Sequence, residues 1–220
     1  MRRITIITGH YGSGKSNIST NLALELAAEG KKVTVVDMDI VNPYFRTADF
    51  AQLFADNGVE LICPTYANTN LDIPALSFDI ERIAASGGYL IVDVGGDDAG
   101  AIALGRFAEA LNDYGDDLDM FYVINRYRYM TRTPEEALEL MYEIEAAARI
   151  KHTGIINNSN LGNETTYETV ESSLEYGEKL SEAAKLPIVF STVPSTVDTD
   201  DERFKKVNVY VKPIWELYNK

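Results

Sequence analysis

Residues 9–16 read Gly-His-Tyr-Gly-Ser-Gly-Lys-Ser and follow the apolar run Ile4-Thr5-Ile6-Ile7-Thr8. A strand that exits into a glycine-rich turn and then directly into helix-forming sequence leaves few folds open. Glycine permits backbone turns that aim successive N–H groups inward. With the N-terminus of the helix beginning near Ser16, those N–H groups make a concave anion site. The spacing of Gly9 and Gly14-Lys15-Ser16 is that of a phosphate-binding loop, G-x-x-x-x-G-K-[ST]. Gly9, His10, Tyr11, Gly12, Ser13, Gly14, Lys15, Ser16 and Asn17 are therefore expected to line a nucleotide phosphate site. Lys15 would reach the β- and γ-phosphates, and the Ser16 hydroxyl would bind Mg²⁺. A chance glycine-rich turn lacks this spacing. A dinucleotide-binding turn needs a third glycine where Gly12-Ser13-Gly14 runs on into Lys15-Ser16-Asn17.

The rest of the chain alternates in the same way. Strand candidates are Ile4–Thr8, Val33–Asp37, Val59–Ile62, Leu90–Val94, Met120–Asn125, Gly154–Asn157 and Ile188–Phe190. They are short and apolar on both faces, as strands of a doubly covered parallel sheet should be. Helices are expected over Ser16–Glu29, stopped by Gly30, behind a capping box at Thr133, Pro134 and Glu136, and over Thr166–Ala184. Behind the capping box, Ala137, Met141, Ile144 and Ala148 form an apolar stripe. Cys63–Pro74 and Val193–Asp201 read as long loops. The pattern predicts an α/β fold of three layers, a mostly parallel central sheet with helices on both faces, built as one domain over residues 1–220.

Composition narrows the function classes. The net charge of −14 argues against a duplex-DNA footprint and against docking on anionic lipid. No apolar run approaches the roughly 20 residues a membrane-spanning helix needs, and no signal-peptide pattern follows Met1. The single cysteine, Cys63, forms no internal disulfide and no CxxC pair. A cytoplasmic protein with no nucleic-acid and no membrane partner is expected. Cys63, near a strand end, reads as an inert, buried residue. His10 and His152 are far apart in sequence and suggest no metal site. The C-terminal VKPIWELYNK reads as a packed terminal segment, with Trp215 in the core or an interface.

Two further motifs carry acids. In VTVVDMDIVNPYFR, Asp37 ends the second strand and Asp39 follows two residues on, at the sheet edge where open α/β sheets bind ligands. In GGYLIVDVGGDD, an apolar strand ends at Asp93 and meets Gly95-Gly96. Asp93 would hold Mg²⁺ through water, and Gly96 would let a backbone N–H approach the γ-phosphate. Asp97 and Asp98 fit caps for the following helix.

With these three motifs in this order, the chain resembles the MinD/ParA/CobQ-type branch (SIMIBI class) of P-loop NTPases. That branch includes septum-site and chromosome-partition ATPases, arsenite-pump ATPases, nitrogenase iron protein and iron–sulfur carriers. The resemblance implies that Asp39, the second acid of the D-x-D pair, helps position the attacking water, with Asp37 as the first. VINRYRYMTRTPEEALEL is similar to the family's strand, loop and helix after strand five. GIINNSN is similar to its base-recognition strand, so the resemblance places Asn157 or Asn158 on the adenine. One position departs. The family usually carries a second lysine early in the loop, reaching across a nucleotide-sandwich dimer, and His10 stands there instead. His10, as a titratable donor, and Arg46 of NPYFR are the candidate replacements.

The resemblance implies an Mg²⁺-dependent, ATP-binding protein, a slow ATPase that switches with its ATP or ADP state and is read by a protein partner, with a homodimer as a possible assembly. Two alternatives stay open at this stage. One is an ATP-dependent ligase or kinase of the dethiobiotin-synthetase type acting on a small molecule. The other is a nucleotide-binding module that does not hydrolyse.

Overall fold

The computed structural model describes residues 1–39, 50–63, 87–96 and 98–210. Eight strands form one sheet: β1 (Ile4–Thr8), β2 (Val33–Met38), β3 (Glu60–Ile62), β4 (Tyr89–Val94), β5 (Leu118–Ile124), β6 (Gly154–Asn157), β7 (Ile188–Pro194) and β8 (Phe204–Val207). Their order across the sheet is β3-β2-β4-β1-β5-β6-β7-β8, and every pairing is parallel. The α-helices of the described residues are α1 (Lys15–Ala28), α2 (Ala51–Asp56), α3 (Asp98–Gly105), α4 (Ala108–Asn112), α5 (Pro134–Ala148), α6 (Tyr167–Glu171) and α7 (Leu174–Ala184).

The continuous apolar runs are explained by the two cores. Successive side chains of a strand point to opposite faces, so Ile6, Val36, Val92 and Met120 meet Leu104 of α3 and Leu111 of α4. On the other face Ile7, Val35, Ile91 and Val123 meet Ile18 and Leu22 of α1 and Phe54 of α2. A third cluster, with Tyr122 and Ile155, sits under Met141 of α5 and Leu180 of α7. Ile6 and Ile7 are each fully buried, in opposite layers. Burying a side chain of this size contributes about 1.5–3 kcal/mol, so β1 is anchored from both sides. All the strands run the same way, and their C-terminal ends share one edge. That edge carries the residues after Thr8, Met38, Val94, Ile124 and Asn157.

The local signals hold at α1 and α5. Gly30, at φ +77°, ends α1 by donating its N–H to the Ala27 carbonyl. At α5, Glu136 N–H donates to Thr133 Oγ1 at 3.3 Å, and Thr133 N–H donates to the Glu136 carboxylate at 3.2 Å. Asp98 opens α3.

Two expectations are corrected, and one strand goes unforeseen. The single helix over Thr166–Ala184 is two, α6 and α7, broken at Ser172 and Ser173. Ser173 Oγ donates to the Val170 carbonyl at 2.6 Å, and its own carbonyl accepts from Asn157 as well as from Gly177 N–H, so side-chain bonds join the backbone ones at the break. The expected loop over Val193–Asp201 starts later, because β7 runs on to Pro194. Ser191 and Thr192 look like loop residues, yet they pair with Phe204 and Lys205 of β8. β8 itself is unannounced by any apolar run. It is an edge strand in which Lys206 is exposed and the half-buried Lys205 reaches Glu25 of α1, charged residues of the kind that protect an edge. Arg46, Asp97, Trp215 and the stretch 64–74 lie outside the described residues.

Candidate functional site

The loop at the end of β1 is shaped by close packing. Gly9 has φ +143°, and a Cβ there would run into the carbonyl of Val123 on β5. Ser13 N–H closes the turn on the His10 carbonyl at 3.1 Å. Gly14, at φ +91°, is the N-cap of α1. It offers no capping side chain, and no acid stands in the first turn. The first N–H groups of α1 thus have no side-chain acceptor from the cap, which is the arrangement that favours a bound anion.

Lys15 is buried, with Nζ 3.2 Å from the His10 carbonyl. Gly96, two residues beyond β4, lies against this loop. A Cβ at Gly96 would stand 2.7 Å from Lys15 Nζ and 2.7 Å from Tyr11 N. Among the described residues, Ser13 Oγ and His10 Nδ1 are buried without a hydrogen-bond partner. A cradle of backbone amides, an ammonium and two orphaned polar atoms fits a phosphate chain.

The carboxylates stand beside it. Asp37 on β2 and Asp93 on β4 are register partners, and both are buried. Ser19 Oγ, one turn into α1 from Ser16, donates to Asp93 Oδ1 at 3.2 Å. Asp39 N–H donates to Asp37 Oδ1 at 2.9 Å. Ser16 is half-buried at the start of α1. These are hard oxygen donors, and their chemistry fits Mg²⁺. Ser16 and Asp93 are the residues that would hold it, and the ion would draw charge from the phosphate oxygens. No group of three or more His, Cys, Asp or Glu side chains that could cage a metal occurs among the described residues.

The two asparagines at the end of β6 and just beyond it differ. Asn157 donates to the Ser173 carbonyl and hydroxyl, both at 3.1 Å, and its Oδ1 accepts from Ser159 N–H and Oγ. An amide side chain has two donors and two acceptor sites, so Asn157 is fully engaged in holding α7 and the β6 turn. Asn158 Nδ2 donates to the Ser13 carbonyl at 2.7 Å, and its Oδ1 accepts from Thr192 at 2.6 Å. It packs directly on Gly14. Asn17 also departs from expectation. Its Nδ2 donates to the Asn208 carbonyl at 3.0 Å and its Oδ1 accepts from Tyr210 N–H at 2.8 Å, so the side chain fastens the segment after β8 instead of facing the loop.

Three features were missed from the sequence. Arg128, in the turn between β5 and α5, donates from Nε to the Gly12 carbonyl at 3.0 Å. Behind the loop, Thr8 Oγ1 lies 2.8 Å from His152 Nε2, and His152 Nδ1 lies 3.1 Å from Glu145 Oε1. Glu145 is a buried acid within the apolar stripe of α5. Cys63 is exposed at the end of β3, not buried.

Burial lowers the pKa of His10, and the Lys15 ammonium lowers it further, against a smaller opposing effect from the Tyr11 backbone. Both lowering effects favour the neutral imidazole. Burial also lowers His152, more than its hydrogen bond to Glu145 raises it. Burial alone would raise Glu145, but hydrogen bonds from His152 and Lys151 bring it down to about 2.

A glycine-rich loop between the central parallel strand and α1, with Lys15 at its close and Asp93 on the adjacent strand, defines a P-loop nucleotide-binding fold. Within that class, the chain belongs to the CobQ/CobB/MinD/ParA nucleotide-binding domain family, whose model matches residues 4–166. Over 79 residues it is 37% identical to a cytosolic Fe-S cluster assembly factor of Yarrowia lipolytica, covering 34% of this chain and 27% of that protein. Over 90 residues it is 37% identical to an iron-sulfur cluster carrier protein of Escherichia coli, covering 41% and 22%. The matched stretch is thus about a quarter of those proteins. Among solved structures, FtsY from Mycoplasma mycoides matches with a TM-score of 0.58 at 18% identity, covering 88% of this chain and 60% of that one. The signal recognition particle 54 kDa protein of Aeropyrum pernix, in complex with GDP, matches with a TM-score of 0.56 at 18% identity, covering 86% and 41%. These likenesses establish the fold.

Proposed function

We propose that this chain binds ATP with Mg²⁺ at the β1–α1 loop and hydrolyses it slowly, as a switch whose nucleotide state is read by a protein partner. The observation that carries the reading is Gly96 abutting Lys15 Nζ and the Tyr11 backbone. It joins the acid-bearing β4 edge to the phosphate loop, so a γ-phosphate bound there bears on both. In this reading Lys15 and the loop amides hold the phosphates, while Ser16 and Asp93 serve the magnesium site. Asp39 orients the water that attacks the γ-phosphorus as the bond to the β–γ bridging oxygen breaks, with Asp37 holding the Asp39 backbone in place. The site would lie within a single domain over residues 1–220, in the cytoplasm, with two copies able to pair.

The Fe-S relatives do not extend the proposal to a cluster. Clusters are held by several cysteine thiolates, and Cys63 is the one cysteine of these 220 residues.

Calorimetry with ATP, ADP and GTP in Mg²⁺, beside phosphate release, tests the reading. ATP should bind, Lys15→Ala should remove binding, and Asp39→Ala should bind ATP but release no phosphate. Binding without release in the wild type would leave a non-hydrolysing module. Turnover stimulated tens-fold by a small molecule would point to the ligase chemistry instead. ATP affinity unchanged in Lys15→Ala would refute the site.

A further inference from the structure

A bound nucleoside triphosphate brings about four negative charges, and Mg²⁺ with Lys15 offsets about three of them. Asp37 and Asp93 stand close by as buried acids at the same sheet edge. His10, in the loop itself, is half-buried, and burial with the Lys15 ammonium disfavours its charged form. The site therefore calls for another cation.

The turn after β5 presents three arginines, and two are committed elsewhere. Arg126 donates from Nη1 to the Ser172 carbonyl at 2.6 Å and stacks on the rings of Tyr127 and Tyr176. Arg132 lies over the Tyr129 ring. Arg128 alone of the three reaches the loop, with Nε on the Gly12 carbonyl. Its Cδ and Nε lie 3.5 Å from where a Gly12 Cβ would stand.

The backbone that carries that arm is held in place. Asn125, fully buried, accepts Tyr127 N–H on its side chain and Arg128 N–H on its carbonyl. Thr131 Oγ1 donates to the Asn125 carbonyl at 2.9 Å, and Tyr176 OH donates to the Thr131 carbonyl at 2.7 Å. Met130 is held at φ +65°, a conformation costly for a residue with a side chain. Arg128 thus projects from a pinned turn onto the phosphate loop, and its guanidinium has four further N–H groups beyond Nε.

We propose that Arg128 supplies the second positive charge of the phosphate site, in cis, from the β5–α5 turn. The inference rests on the nucleotide reading above and names the residue that completes its charge balance. A purely structural arginine would need only its hydrogen bond to the Gly12 carbonyl, and a glutamine can make that bond without charge.

The test is calorimetry of Mg²⁺-ATP and Mg²⁺-ADP with wild type, Lys15→Ala, Arg128→Gln, Arg128→Lys and Arg128→Ala, at low and high salt, with thermal melts of each. A charge-assisted hydrogen bond to phosphate is worth roughly tenfold or more in affinity. Arg128→Gln and Arg128→Ala should each lose at least about tenfold in ATP affinity, Arg128→Lys less, and the salt dependence of binding should flatten in the two neutral variants. Wild-type affinity and salt dependence in a folded Arg128→Gln would overturn the inference while leaving the nucleotide site standing. A wild type silent to ATP would remove the site and the inference together. Should Arg128→Ala fail to fold, the glutamine and lysine variants decide.

Discussion

Asp37 and Asp93 are opposite one another on adjacent parallel strands, both buried, at the edge of the sheet beside the phosphate loop. Two carboxylates on neighbouring strands repel, and burial strengthens the repulsion. Ser19 Oγ on Asp93 and the Asp39 N–H on Asp37 offset part of it. The remaining repulsion is a cost that a magnesium–phosphate complex bound beside the pair would lower.

The first prediction concerns that cost. Asp37→Asn relieves the repulsion and keeps the shape of the side chain. The ligand-free protein should melt higher, by about 2–4 °C for each kcal/mol gained in a chain of this length. ATP in Mg²⁺ should then raise its melting temperature less than it raises that of the wild type. Paired thermal melts check both halves, and a ligand-free variant that melts lower than wild type contradicts the account.

The second concerns Gly96. A methyl group at this position meets Lys15 Nζ and the Tyr11 backbone inside contact distance. The lysine tip is flexible, but the Tyr11 backbone is not, so the phosphate loop must move. Gly96→Ala should keep its far-ultraviolet circular dichroism and lose tenfold or more in ATP affinity, since backbone-built anion sites tolerate little displacement. Calorimetry on the folded variant reads the loss.

The third is a pH profile. Folded His152 stays neutral below its ordinary value of 6.5, because burial lowers it. In the unfolded chain the same imidazole takes up a proton as pH falls through about 6.5. The unfolded state then binds more protons, so stability falls from about pH 6.5 downward. Glu145 adds a second window. Its stabilisation is complete above the ordinary carboxylate value of 4.5 and is lost as pH falls towards about 2. His152→Gln should flatten the stability profile between pH 7 and 5. It should also cost about 1–3 kcal/mol at pH 7, where Thr8 and Glu145 lose their buried partner. Denaturant melts across pH check this, and a wild-type slope in the variant would count against it.

The fourth separates Asn17 from the phosphate site. Its side chain makes two hydrogen bonds to the backbone of Asn208 and Tyr210, and Asn21 makes two more to Asn208. Asn17→Ala should lower stability by about 1–2 kcal/mol at the usual net value of a hydrogen bond. Its ATP affinity should stay within about threefold of wild type. A tenfold loss of affinity with unchanged stability would return the Asn17 side chain to the site.

The parts of this protein legible in its sequence are those whose physics is local. The glycines, Lys15 and Ser16 announce a phosphate loop because adjacent residues build it. Asp37 and Asp93 announce the sheet edge because each comes as an acid near the close of an otherwise apolar run, one residue short of the ends of β2 and β4. Thr133, Pro134 and Glu136 cap α5 within four residues of one another. Apolar runs buried on both faces are enough to call for a covered parallel sheet. Tertiary structure alone decided the rest. Arg128 meets Gly12 across 116 residues, His152 meets Thr8 across 144, and Asn17 meets Asn208 across 191. An arginine, a histidine or an asparagine carries no mark of its partner along the chain. Each acquires one only when the strands stack in the order β4-β1-β5-β6 and bring distant turns to one edge. The same holds for β8, whose lysines look like solvent-facing loop until β7 offers them a ladder of backbone hydrogen bonds.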